Sequence, residues 1–94
     1  GRNMSRMRLK GESKGMEIVI GYDRPMRCWF IQAWNHNVTS DYPITDIDYT
    51  DRYKMIAMTE HYALDTPERK KATDRIMLDL DPVEDPKTNV RVSG

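Results

Sequence analysis

The stretch MEIVIGYDRPMRCWFIQAW, residues 16–34, decides the fold. Two apolar runs flank a short polar centre, Gly21-Tyr22-Asp23-Arg24-Pro25. In the first run Met16, Ile18 and Ile20 alternate with Glu17 and Val19, the two-residue period of a strand over 16–21. In the second, over 27–34, Cys28, Phe30, Gln32 and Trp34 share one face, and Trp29, Ile31 and Ala33 share the other. Both faces are apolar, as in a central strand or one covered on both sides. Pro25 has a fixed φ and no N–H to give a ladder, so it belongs in a turn. Gly21 suggests a bulge or a tight strand end. The stretch therefore reads as a β-hairpin with a loop longer than two residues.

Beyond the hairpin, NHNVTSDYP is a loop by composition. ITDIDYT, residues 44–50, sets Ile44, Asp46 and Asp48 against Thr45, Ile47 and Tyr49. It is expected as a short third strand at a sheet edge, its aspartates in water, where charge blocks unwanted pairing. The period then changes. Thr50 or Asp51 caps a helix in which Tyr53, Ile56, Ala57, Glu60, Ala63 and Leu64 form a stripe beside Met55, Met58 and Tyr62. In LDTPERKK, Asp65 or Thr66 caps a second helix, Pro67 takes its first position, and Glu68 faces the positive end of the dipole. That helix is expected to run to about Leu80, with Ala72, Ile76, Leu80, Thr73 and Met77 on its apolar side, and to stop at Asp81-Pro82.

The expected fold is thus a small α+β domain over 16–81, order β-β-(β)-α-α, with two helices on one face of an antiparallel sheet. Its expected core is Ile18, Ile20, Cys28, Phe30, Ile47, Ile56, Leu64, Ile76 and Leu80. Residues 1–15 read as a disordered basic arm, with Met4 and Met16 as candidate translation starts and Gly1-Arg2-Asn3 as a leftover of cloning. Residues 82–94 read as a disordered polar tail punctuated by proline.

The chain has 94 residues, 38% hydrophobic and 32% charged, enough for one domain with a thin core. No apolar run approaches the roughly 20 residues of a bilayer span, and no apolar segment follows the basic start, so no secretory signal and no membrane partner are expected. A lone cysteine, Cys28, points to a reducing, cytoplasmic setting and to a small buried hydrophobe. The formal net charge is zero, but Arg2, Arg6, Arg8, Lys10 and Lys14 gather at one end and Asp79, Asp81, Glu84 and Asp85 near the other.

The chemistry-bearing patterns are sparse. His36 and His61 lack the ligand spacing of a zinc site. DIDYTD starts like a calcium loop but has Asp51 and Ala57 where glycine and glutamate are required. Asn37-Val38-Thr39 is a glycosylation triplet by letter alone. Cys28 has no base held beside it by spacing, and there is no nucleophile elbow or phosphate loop. The expectation is a non-enzymatic protein without metal or cofactor.

Two functions are in view. One is a protein-interaction module, accessory or regulatory, whose hairpin presents Tyr22, Arg24, Arg27 and Trp29 to a protein partner or to a second copy. The other is nucleic-acid binding through the basic arm and through Arg69, Lys70, Lys71 and Arg75 of the second helix. Residues 44–80 resemble, in outline, a helix-turn-helix or a ribbon-helix-helix arrangement. Asp46 and Asp48 on the would-be reading strand would repel phosphates.

Overall fold

The computed structural model describes residues 5–84. A four-stranded antiparallel sheet, in the order β1-β2-β3-β4, packs on one face against two helices. The strands are β1 (Met7–Lys10), β2 (Met16–Asp23), β3 (Cys28–Asn35) and β4 (Thr45–Tyr49); the helices are α1 (Arg52–Tyr62) and α2 (Pro67–Met77). The α+β class and the order of strands before helices match the sequence.

The hairpin loop is Arg24–Arg27. Asp23 Oδ1 accepts the Met26 N–H (3.3 Å), Arg24 O accepts the Arg27 N–H (3.2 Å), and Arg27 closes the turn in the left-handed region at φ 53°. Four loop residues pair Asp23 with Cys28, Tyr22 with Trp29, Ile20 with Ile31 and Ile18 with Ala33. Every even-numbered residue of β2 therefore faces an odd-numbered one of β3. This corrects the expected core. Ile18 and Ile20 share the helix-covered face with Trp29 and Ile31, whereas Cys28 and Phe30 lie on the opposite face with Val19.

β1 replaces part of the expected disordered arm. Met7 and Leu9 alternate with Arg8 and Lys10, so a short strand can bury Leu9 while its cations stay in water. Residues 1–4 of that arm, and 85–94 of the expected tail, lie outside the described residues. Gly21 is no bulge. It pairs with Phe30 in mid-strand, and a Cβ there would meet the Ser5 carbonyl and sit 2.6 Å from Phe30 Cζ. Glycine lets the ring and the entering chain close over the strand.

The helices are capped as expected but turned differently. Asp51 accepts from Tyr53 N (2.8 Å) and Lys54 N (3.4 Å), and Thr66 accepts from Arg69 N (3.2 Å). α1 buries Met55 and Thr59 and leaves Tyr53 and Ala57 exposed; Leu64, beyond its end, is exposed too. A buried threonine is tolerable because its hydroxyl donates to Met55 O (2.8 Å). α2 ends at Met77 rather than Leu80. Asp79 adopts φ 67°, Leu80 N–H bonds Arg75 O (2.9 Å) and Asp79 N–H bonds Ile76 O (2.9 Å), the Schellman pattern that stops a helix.

The segment after that turn ties the molecule together. Leu80 O accepts the Trp29 indole N–H (3.3 Å), and the buried Asp81 carboxylate accepts from Ser5 Oγ (2.6 Å) and Val83 N (2.8 Å). Arg75 Nε donates to Asp81 O (2.8 Å). Residues 81–83 are thus built into the domain. Substituting Gly21→Ala is expected to lower stability by about 1–3 kcal/mol, the cost of overpacking a filled site. Urea unfolding checks this; an unchanged midpoint would show that Ser5 and Phe30 do not close on Gly21.

Candidate interaction surface

The four residues expected to form a hairpin patch do not form one. Tyr22 and Trp29 are 5% and 3% exposed and pack edge-to-face, with ring centroids 5.7 Å apart and planes at 67°. The hairpin register turns both towards the helices. Arg24 and Arg27 lie in the loop, half-buried and exposed respectively. That aromatic/arginine surface is therefore corrected: its aromatics are core.

The four cations of the second helix do not form one free face either, since each has a partner within the chain. Arg69 pairs with Asp65 (3.1 Å) and donates to Glu60 O (3.1 Å) and Ala63 O (3.0 Å), locking the α1–α2 connection. Lys70 pairs with Asp74 (3.2 Å), Lys71 pairs with Glu84, and Arg75 holds the Asp81 and Val83 carbonyls. The Lys71 partner holds the Glu84 carboxyl below the usual range. Arg69 and Arg75 serve the fold, whereas Lys70 and Lys71 are exposed and make only surface pairs.

His36 Nε2 lies 3.1 Å from Glu17 Oε1, and His61 packs edge-on against Tyr62 (4.9 Å). Among the described residues no three His, Cys, Asp or Glu side chains gather where a metal ion could be held. Cys28 is buried, and burial, helped by the Asp48 and Asp23 carboxylates, pushes its thiol above the ordinary range.

Beyond the outer faces of the helices and the loops, two accessible regions belong to the sheet: its face away from the helices and one edge. On that face β1 presents Arg8 and Lys10, and β4 presents Asp46 and Asp48, all exposed. Between them Arg6 lies over the Phe30 ring (5.9 Å), and the half-exposed Trp34 donates from its indole to Gln32 Oε1 (3.2 Å). A shallow depression of about 240 Å³ is lined by Arg6, Arg8, Glu17, Val19, Trp34 and His36, with Gln32.

The two sheet edges differ. Beyond β1, Leu64 N–H bonds Lys10 O (2.8 Å) and Glu12 N–H bonds Tyr62 O (3.3 Å), so the chain itself covers that edge at its Lys10 end. β4 is the outer strand on the other side. No backbone hydrogen bond joins Thr45–Tyr49 to any described residue beyond β3. α1 packs chiefly against β3 and covers β4 less, so Ile47, on the helix side of the sheet, is 38% exposed. Ile44 (62%) and Tyr42 (78%) continue this apolar exposure into the preceding loop. The edge strand itself was legible in the alternation of residues 44–50; the missing cover over Ile47 was not, since it follows from where α1 lies.

Cys28 and Tyr22 share a pH consequence. Burial raises both above their ordinary values, so the folded state holds these protons more tightly than the unfolded chain. The contribution of each is full below its own ordinary range, thiol or phenol, and falls as pH rises through that range. Urea unfolding at pH 7 and pH 10 is expected to show lower stability at pH 10, with the loss reduced in Cys28→Ala. Equal loss in that variant would show that the thiol plays no part.

No protein-family model, curated protein or solved structure matches this chain.

Proposed function

We propose that the protein is a non-enzymatic interaction module, accessory or regulatory, that engages a protein partner through the β4 edge. The observation carrying this reading is the unpaired outer edge of β4, with exposed apolar side chains within it (Ile47) and just before it (Ile44). An edge of this kind is a template for an added strand, whose main-chain hydrogen bonds give affinity and whose alternate side chains give specificity. The lone buried thiol suits a cytoplasmic setting, and no helix among the described residues is long and apolar enough to cross a membrane.

Ile47→Lys tests the reading. The site already borders water, so the fold should survive, checked by circular dichroism. Cross-linking of the tagged protein in extracts is expected to capture a partner with wild type and to lose at least most of it with the variant. Equal capture by both would remove the β4 edge from function.

A second reading is favoured by one observation. Arg6 and Arg8 border a depression that includes the half-exposed Trp34, cations beside a stacking platform for single-stranded nucleic acid. On this reading an oligothymidylate quenches Trp34 emission at low salt, and added salt reverses it. Trp29 is buried, so Trp34→Leu should abolish the response. No quenching at low salt removes nucleic acid from consideration.

A further inference from the structure

We infer that the segment received at the β4 edge is an extended strand in which basic and apolar residues alternate, an inference that rests on the interaction-module reading above. The edge has two chemically distinct sides. Asp46 and Asp48 stand on the side away from the helices, and Ile47 stands between them on the helix side. In a strand, residues two apart lie about 6–7 Å from one another on one face. An added strand with basic residues two apart sets a cation beside each carboxylate. Its intervening residue falls on the helix side, beside Ile47, where an apolar side chain extends the core that α1 leaves uncovered.

A second copy of this chain fits the edge poorly. Two β4 strands paired about a two-fold axis would bring Asp46 and Asp48 of both copies onto one face, across from one another, and like charges directly opposite destabilise a ladder. The β1 strand has the right alternation, Arg8 and Lys10 with Met7 and Leu9. Its outer edge, however, is already taken at Lys10 and Glu12 by Leu64 and Tyr62. An acidic strand meets the same repulsion as β4 itself. The chemistry that remains is a basic, alternating segment of a different protein.

The probes are two capped heptapeptides, one alternating lysine and valine, the other glutamate and valine, titrated into the isotopically labelled full chain. The lysine peptide is expected to shift the amides of Thr45–Tyr49 and slow their hydrogen exchange, with binding that weakens as salt rises. The glutamate peptide should bind at least tenfold more weakly. D46N/D48N, which removes the charge but keeps the shape, should weaken the lysine peptide roughly three- to tenfold; D46K/D48K should reverse the preference. Absence of β4 shifts, or equal binding of both peptides, overturns the inference. The Ile47→Lys cross-linking experiment judges the interaction-module reading separately: a partner captured through β4 while the lysine peptide fails would mean that the edge is used by another chemistry.

Discussion

The pairing of Tyr22 with Trp29 across a four-residue loop is the constraint on which the rest of the structure depends. A sheet has a side-chain period of two, so a shift of one residue would exchange the faces of a whole strand. In this register Trp29 and Ile31 join Ile18 and Ile20 under the helices, and Cys28 and Phe30 face away. Trp29 then does more than fill space. Its indole N–H meets Leu80 O, the last residue of the turn that ends α2. From there Asp81 reaches Ser5 and so anchors the entry to β1. Loop length, helix end and first strand are therefore coupled through two side chains, Trp29 and Asp81. The link is polar at both ends and desolvated, which makes a missing partner costly.

The same geometry makes the two sheet edges unequal. The chain leaving α1 crosses beside the end of β1, and Arg69 fastens that crossing by holding Glu60 O and Ala63 O. Nothing comparable among the described residues reaches β4. The face away from the helices has no third layer, and its own side chains cover only part of it. Phe30 is roofed by Arg6, and the Trp34 ring is tied to Gln32. Long cationic stems can cover apolar surface while their charges remain hydrated. Exposed apolar side chains also occur at the hairpin loop (Met26) and at the end of α2 (Met77, Leu78), but at β4 they lie beside an open strand edge.

Much of the fold was legible because local signals agreed. Strand alternation in 16–21, turn chemistry at Pro25, edge aspartates at 46 and 48, and the cap-proline-glutamate start of α2 each pointed to the element that forms. The facing of the hairpin was not legible, since both faces of CWFIQAW are apolar and the loop alone decides parity. β1 was missed because four residues with two apolar positions are a weak periodic signal, and their partner lies across a turn. α1 was misjudged in rotation because Thr59, a polar residue, takes the buried position by bonding Met55 O. The expected site failed for the same cause as the expected core: Tyr22 and Trp29 have the composition of interface anchors, and the register turns them inward.

The hairpin register can be read directly from nuclear Overhauser effects between side chains. The expected result is contact between the Tyr22 and Trp29 rings, whose centroids lie 5.7 Å apart, and between Ile20 and Ile31, with no contact from the Phe30 ring to Met55 or Ile76. Contacts from Phe30 to those two helix residues, with the Trp29 indole turned to solvent, would contradict the register and with it the assignment of the core, of the outer sheet face and of β4 as the open edge.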